Sequence, residues 1–567
     1  MHLSNDRTGL ALCLALGGAT GMAFALSFLP WGLVTGTGAF WQSAESDRAT
    51  ALIGYLYFVA DAWRLPLYHI ATLNVPEGAS VIFTDSIPLV ALAMKVLHAF
   101  GVPPWNYFGA WLLCCYALNG MAMTLVLWHA GIRSKAVAVV AALLAAGMPV
   151  LLHRWYHFSL CGQFLILLAL ACYVAVARAR RPASALTAAA VLVVVSLGVN
   201  PYLCAMVLAL YIAALARAAG GAVSWRRAVS HFALTCVVLV ALSVLLGYVS
   251  FDGQRLAAGG FGHFSANLLS PFASSLSALA PDAWERLRSA EAAGSAWPFF
   301  DRAWPDATGG QYIEGFGYLG IGLLLLCALH VPYVIRHGGA LARRHGPLLG
   351  VLAAATLFAL SNKIFLGDHL IADIPVPRVA EGLAGVFRSS GRFLWLVLYA
   401  ALAGATILTV RRFGTGRGIA MLAVAAALQL LDTTPLRQAI ALDTRMKHTA
   451  GLEFDAWQPW LAAGLDRIYI IPSYPCGDPD LGNPKLSLQY YMARVGPIPT
   501  NSAYTSRSRP DCGDELRRLT ASADAGRVGW VFFADGQSLP EVEQFRRAKG
   551  TTCQSIGRIL ACTRGDG

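Results

Sequence analysis

The stretch GLALCLALGGATGMAFALSFLPWGLV, residues 9–34, decides what kind of protein this is. It carries no charged side chain, and about 20 apolar residues are enough for a helix to cross the hydrocarbon core of a membrane. The run is too long and too weakly flanked by charge for a cleaved signal peptide. We therefore expect a retained first membrane helix.

The rest of the chain has the same character. Of 567 residues, 57% are apolar and 13% are charged, and the mean hydropathy is +0.56. A soluble domain has about 25% charged residues, so these values predict a polytopic, mostly α-helical membrane protein. About eleven spans are expected, roughly at 9–34, 105–128, 136–153, 156–177, 184–200, 202–217, 229–250, 315–335, 346–362, 392–410 and 418–433.

The charged residues predict the orientation of these spans. Short basic loops recur two helices apart, and the positive-inside rule places them in the cytoplasm. They contain Arg133 and Lys135, Arg178 and Arg181, Arg226 and Arg227, Arg343 and Arg344, and Arg411 and Arg412. No acidic residue lies between Asp85 and Asp252. We therefore interpret the formal charge of +12 as a signal of topology and infer no nucleic-acid partner.

This topology requires that residues 87–101 do not cross the membrane. The run is short and contains Lys95 and His98, so it is expected to lie in the outer interface as an amphipathic helix. The N-terminus is then cytoplasmic, and the loop 35–104 and the tail face the periplasm of a bacterial inner membrane.

The tail predicts a separate small domain. Beyond residue 433 the apolar runs shrink to strand length, as in RIYIIPSY, VGWVFFA and IGRILAC, which is typical of a mixed α/β fold. We divide the chain into a transmembrane domain, 1–433, and an exterior α/β domain, 434–567. The domain has four cysteines, and three pairings are possible; we favour Cys476–Cys512 and Cys553–Cys562, because CQSIGRILAC can fold as a hairpin.

The predicted outer face collects acids and bases at the ends of helices. Its candidate site residues are Glu45, Asp47, Asp85, His153, Arg154, Glu314, Lys363, Arg388 and Arg392. Arginine binds phosphate through its planar fork, and a carboxylate can take a proton from an acceptor hydroxyl. Together these side chains suit a reaction on a lipid-linked phosphate.

Each candidate also has a simpler interpretation. Glu45, Asp47 and Asp85 could cap helices, and Arg388 and Arg392 could be ordinary interfacial anchors. His153 and His157 suit an interface, whereas a carboxylate near hydrocarbon, such as Glu314, favours a function.

The layout resembles the GT-C superfamily of glycosyltransferases that use polyprenyl-phosphate sugars. The matching features are a first helix, a large exterior loop with the acids of ESD (45–47) near its start, many spans and an exterior tail. FTDSIPL, GQYIEGFGYLGIG and FRSSGRF are similar to an uncharacterised family of bacterial integral membrane proteins. The resemblance implies that Asp47 is the catalytic aspartate and Glu45 its acidic companion. The WWDYG signature of oligosaccharyltransferases is absent from the tail, which disfavours oligosaccharide transfer to protein.

The function expected from this resemblance is inverting transfer of a hexose or pentose from a polyprenyl-phosphate donor. The acceptor would be a cell-envelope glycan or a lipid-linked precursor. A divalent ion, Mg²⁺ or Mn²⁺, shared by Glu45 and Asp47 would be the one cofactor, although some members of the superfamily need none. Two alternatives stay open: a transporter or flippase of envelope precursors, and a non-catalytic scaffold for envelope assembly.

Overall fold

A computed structural model describes residues 2–42, 46–179, 181–249, 259–447, 452–506, 512–513, 515–522, 526–533 and 539–564, except the side chains of residues 2–6 and 539. Seven helices in this part of the chain are long and apolar enough to cross a membrane, which makes the protein a multi-pass membrane protein. They are Arg7–Leu26, Phe108–His129, Phe158–Arg178, Pro201–Ala219, Trp225–Leu246, Ile321–Leu360 and Ser390–Asp432.

The predicted spans correspond to segments of these helices. Ile321–Leu360 breaks at His345 and Ser390–Asp432 breaks at Gly414, so each contains two predicted spans. Lys135–Ala146 and Ala183–Leu197 are shorter apolar helices at two further predicted spans. The first predicted span ends early, because Pro30 cannot continue a helix and Trp31–Thr35 forms a separate short helix.

The described chain also contains shorter helices. They are Ser46–Ala60, Pro88–Ala99, Pro149–Leu152, Ala283–Ala293, Trp297–Phe300, Gln311–Glu314, Arg378–Val386, Thr434–Arg445, Phe454–Leu461, Gly482–Val495, Glu515–Ala521 and Leu539–Lys549. Pro88–Ala99 is the helix expected in the outer interface. Its Lys95 is only 2% exposed and its ammonium lies 4.3 Å from the Phe58 ring centroid and 5.1 Å from that of Trp63, so this helix is held by cation–π contacts.

The tail contains the predicted small sheet. Four strands pair in the order Arg467–Ile471, Val528–Phe532, Ile559–Arg564, Thr551–Ile556, and the first two are parallel. Tyr469 and Trp530 of the sheet and Phe545 of the helix Leu539–Lys549 are buried together in one hydrophobic cluster. Two antiparallel pairs lie elsewhere, His69–Ile70 with Ala79–Ser80 and Lys363–Leu366 with His369–Asp373.

Two disulfides lie in the tail. Cys476 is joined to Cys512, with 5.5 Å between the Cα atoms, and Cys553 to Cys562, with 4.0 Å. The second bond links directly opposed residues of the hairpin formed by Thr551–Ile556 and Ile559–Arg564. The sequence analysis favoured the same two pairs.

The chain folds into two compact units that do not follow chain order. The first unit comprises Met1–Thr35, Tyr107–Ala241 and Gly253–Met446. The second comprises Gly36–Asn106, Leu242–Asp252 and Lys447–Gly567. The predicted loop 35–104 therefore belongs almost wholly with the tail, whereas the predicted division placed it with the membrane spans.

Candidate functional site

In the second unit, Asp47 lies in the first turn of the helix Ser46–Ala60, which we name the loop helix. Its side chain is half-buried. Glu45, its predicted companion, lies outside the described residues. Acidic residues in a first turn interact favourably with the helix dipole, so the position alone is compatible with a helix-stabilising role.

A tail helix, Gly482–Val495, holds the chain just before Asp47; we name it the bracing helix. Asn483 accepts a hydrogen bond from the Ser46 amide at 3.0 Å. The Tyr490 hydroxyl donates to the Trp41 carbonyl at 2.7 Å and the Arg494 guanidinium to the Gln42 carbonyl at 2.8 Å.

These bracing residues were missed in the sequence, although a signal was present. The positions 483, 490 and 494 are separated by seven and four residues, which places them along one face of a helix. Three polar residues on one face of a tail helix indicate a contact surface. The sequence gives no indication that its partner would be residues 41–46.

Tyr474 is a further residue that the sequence analysis did not identify. Burial raises the pKa of its phenol, and the charge of Asp47 raises it further. Tyr474 packs against Tyr504, with ring centroids 4.9 Å apart. Asp47 and this phenol are therefore close enough to influence each other electrostatically.

The Asp85 loop packs on the same helix. Gly54 has no room for a side chain, since a Cβ there would lie 2.1 Å from the Thr84 hydroxyl. The Ser86 hydroxyl donates to the Ala51 carbonyl at 2.7 Å. Positions 47, 51 and 54 share one helix face, so the loop lies about one turn along the helix from Asp47.

The backbone of this loop is strained. Asp85 has φ 58° and Ile87 has φ 49°, a left-handed conformation that a β-branched residue rarely adopts. Strain of this kind persists only where packing enforces it, and it is often found at functional sites. The strained loop that carries Asp85 thus packs on the helix that carries Asp47.

In the first unit, Glu314 lies between two arginines, a group we name the glutamate cluster. Arg392 donates two hydrogen bonds to its carboxylate, both 2.6 Å long. Arg154 lies 3.2 Å from the same carboxylate and also bonds the Ile313 carbonyl. Glu314, Arg154 and Arg392 are 8%, 1% and 9% exposed.

The charges of this cluster do not cancel. Burial alone would raise the pKa of Glu314, but the guanidinium groups of Arg392 and Arg154 outweigh it and the pKa falls below its ordinary value. Glu314 is therefore ionised, and the cluster keeps one net positive charge. His153 stacks on Phe316 at 4.2 Å beside it.

Arg388 and Lys363 flank a glycine-rich turn in the same unit. A Cβ on Gly260 would lie 3.6 Å from the Arg388 side chain, and one on Gly262 would lie 3.7 Å from that of Lys363. Both glycines have positive φ, 119° and 89°. Lys363 is exposed and pairs loosely with Asp373, at 4.0 Å.

The structure thus separates the predicted site residues into three groups. Asp47 is in the loop helix, and Asp85 is in the loop that packs on this helix. His153 and Arg154 lie with Glu314 and Arg392. Arg388 and Lys363 lie at the glycine turn. Within the described residues there is no group of three or more His, Cys, Asp or Glu that could hold a metal ion. The roles of all these residues stay predictions.

Two solved structures of membrane glycosyltransferases resemble the chain in outline. The arabinofuranosyltransferase AftD from Mycobacteria is 17% identical over 98% of this chain and 40% of its own length, with a TM-score of 0.47. The oligosaccharyltransferase AglB from Archaeoglobus fulgidus, solved with an inhibitory peptide and a dolichol-phosphate, is 12% identical over 93% and 69%, with a TM-score of 0.37. The chain spans less than half the length of AftD, and neither likeness bears on the site residues.

No curated protein sequence matches the chain. Residues 18–434 match the family described as "Domain of unknown function (DUF6311)", and residues 456–564 match the "DUF6311 C-terminal domain". Because the first match alone covers more than half of the chain, this protein belongs to the DUF6311 family.

Proposed function

We propose that this protein is an inverting glycosyltransferase of the bacterial inner membrane with a GT-C-like layout. It transfers a sugar from a polyprenyl-phosphate donor to a cell-envelope glycan or lipid-linked acceptor on the periplasmic side. The observation that carries the proposal is the bracing of the chain immediately before Asp47, at Trp41, Gln42 and Ser46. A helix cap needs no hydrogen bonds from a second segment more than 400 residues away, whereas a catalytic carboxylate must be held in place.

In the proposed reaction Asp47 is the general base. The acceptor hydroxyl gives its proton to the Asp47 carboxylate while its oxygen attacks the anomeric carbon of the donor sugar. The bond between that carbon and the phosphate oxygen breaks, and polyprenyl phosphate leaves with the electron pair. Attack opposite the leaving group inverts the configuration at the anomeric carbon. Asp85, held in its strained loop, is the proposed ligand of a substrate hydroxyl.

Arg388 and Lys363 are the proposed ligands of a lipid-linked phosphate. Both side chains carry a positive charge at a glycine turn, and phosphate is bound well by arginine forks and by backbone turns with positive φ. Arg392 and Arg154 already bind Glu314, so we assign them to the support of this region and not to direct contact with the phosphate.

The proposed metal, Mg²⁺ or Mn²⁺, would be held by Asp47 and Glu45. Within the described chain Asp47 has no cluster of further ligands around it, so no step of the reaction is assigned to the ion. It would neutralise the charge of the leaving phosphate if it binds.

Orientation with the tail in the periplasm is supported by the disulfides. Disulfides persist in oxidising compartments, and both disulfides lie in the tail. Cysteine labelling in whole cells tests this orientation: a cysteine introduced at Arg226 should be protected from an impermeant reagent, and one at Glu543 should react. A protected Glu543 position would contradict the orientation.

The reaction itself can be tested with purified protein in lipid nanodiscs. The protein is supplied with undecaprenyl-phosphate hexoses and pentoses and a membrane extract as acceptor, and the release of undecaprenyl phosphate is measured. Arg388→Gln should raise the donor KM by about tenfold, the loss expected for one charge-assisted hydrogen bond. Arg378→Gln, on a neighbouring exposed helix, is the matched control. Release that is equal with and without the protein for every donor would contradict the proposal.

A further inference from the structure

Four arginines gather where several helices of the first unit end; we name them the arginine cluster, Arg178, Arg217, Arg344 and Arg411. Arg178 ends the helix Phe158–Arg178, and Arg217 is two residues from the end of the helix Pro201–Ala219. Arg344 and Arg411 lie next to the two helix breaks, at His345 and Gly414. None of these four arginines has a role in the proposed reaction.

Hydrogen bonds hold two of these guanidinium groups side by side. Arg178 and Arg411 each donate to the Ala130 carbonyl at 2.9 Å. Because both bonds end on one oxygen, two positive charges meet there. Arg344 also acts electrostatically on Arg411.

The other side of the cluster is built around a tyrosine and a histidine. The Tyr173 hydroxyl lies 3.1 Å from Nδ1 of His345. Arg217 and Arg344 lie within electrostatic range of both rings. The Nε of Arg217 is buried and has no hydrogen-bond partner among the described residues.

No carboxylate balances this charge in the described chain. The ion pairs found there involve none of the four arginines. The segments that carry them contain no acidic residue, from 86 to 251, from 315 to 367 and from 382 to 431. Like charges this close repel each other, so the cluster is suited to an external anion.

Apolar side chains are exposed on one of the helices that carry the cluster. Val331, Val334 and Ile335 lie 13, 10 and 9 residues before Arg344, and Ile335 is 78% exposed. These distances are about 14–20 Å along a helix, so the apolar side chains lie toward the middle of the helical segment that ends near Arg344. A phospholipid has an acyl chain at a similar distance from its phosphate.

We propose that the arginine cluster binds the headgroup phosphate of an anionic phospholipid, with its acyl chains among the apolar side chains that these helices expose. Arginine forks match phosphate oxygens in geometry and charge, and basic pockets at helix ends are known to suit lipid phosphates. Simple interfacial anchors would not need to converge on one carbonyl.

The test uses the full-length protein, stripped of lipid in detergent. Phosphatidylglycerol, phosphatidylcholine with the same acyl chains, and inorganic phosphate are added separately. Native mass spectrometry and thermal denaturation report binding. We expect phosphatidylglycerol to bind at least tenfold more tightly than phosphatidylcholine, and inorganic phosphate to cause a smaller thermal shift at equal concentration.

The variant Arg344→Gln/Arg411→Gln should weaken phosphatidylglycerol binding by about a hundredfold, or about tenfold per arginine. Both residues are exposed, and Arg344→Gln alone serves if the double variant is unstable. Arg226→Gln/Arg227→Gln removes two exposed arginines from another helix and should change binding less than threefold. Equal loss in both variants, or none in the first, would overturn the proposal. If inorganic phosphate alone raised the Tm as much as phosphatidylglycerol does, the bound phosphate would not need to come from a lipid. That result would overturn the assignment of the site to a phospholipid.

Discussion

Replacement of Asp47 by asparagine separates a catalytic base from a helix-stabilising acid. Asparagine has nearly the same shape, although its amide nitrogen donates a hydrogen bond where a carboxylate oxygen accepts one. The bracing of Trp41, Gln42 and Ser46 is retained, because those hydrogen bonds do not involve the Asp47 side chain. Only the charge in the first turn of the loop helix is lost, which costs about 0.3–1 kcal/mol. For a unit of roughly 200 residues, this lowers Tm by at most about 4 °C.

The effect on turnover should be far larger. Asparagine cannot accept the proton of the acceptor hydroxyl, and loss of a general base costs about 10²–10⁴ in rate. The measurement is release of undecaprenyl phosphate in nanodiscs, beside the Tm of the same preparation. Asp455→Asn is the matched control, because Asp455 is also a first-turn acid of a helix in this unit. Turnover in Asp47→Asn equal to that of Asp455→Asn would refute the role of Asp47 as base.

Three further results are expected. Glu314→Gln leaves two buried arginines without their carboxylate and should lower the free energy of unfolding by about 3–5 kcal/mol. This is measured as a lower Tm, with turnover assayed separately, and an unchanged Tm would contradict it. Because the pKa of Glu314 is lowered on folding, its stabilising effect is complete above its ordinary value of 4.5 and is lost as the pH falls below that value. The Tm difference between wild type and Glu314→Gln should thus be constant from pH 6 to 8 and narrow below pH about 4; narrowing at neutral pH would contradict this. Loss of Cys476–Cys512 should destabilise the tail by about 3.8 kcal/mol and loss of Cys553–Cys562 by about 2.6 kcal/mol, because the first disulfide closes the longer loop. Denaturant titrations measure both losses. A larger loss for Cys553–Cys562 than for Cys476–Cys512 would argue against loop entropy as the cause.

The membrane helices and the tail strands could be predicted because each is encoded locally. A span needs an apolar run of a set length, and RIYIIPSY, VGWVFFA and IGRILAC each carry a strand at the expected place. The two breaks could also be predicted, because Arg343 and Arg344, and Arg411 and Arg412, separate apolar runs. The sequence did not identify the residues at which the helices break, His345 and Gly414, the latter with φ 76°.

The site was less predictable because its contacts are long-range. Glu314, Arg154 and Arg392 were each expected at the outer face, but their pairing joins residues 78 and 160 positions apart. The grouping of the loop with the tail depends on hydrogen bonds from side chains to backbone carbonyls, such as Tyr490 to Trp41. Such bonds impose no periodic pattern on either segment, so the sequence contains little trace of them.

The same long-range contacts connect the redox state of the tail to Asp47. Cys476, one half of a disulfide, has its carbonyl bound by the buried ammonium of Lys485 at 2.7 Å. Lys485 belongs to the bracing helix, two residues after Asn483, which accepts the hydrogen bond from Ser46. A chain whose tail stays reduced lacks the covalent restraint at the start of this series. Loss of the disulfide is therefore expected to loosen the bracing helix and, through Asn483, the backbone next to Asp47.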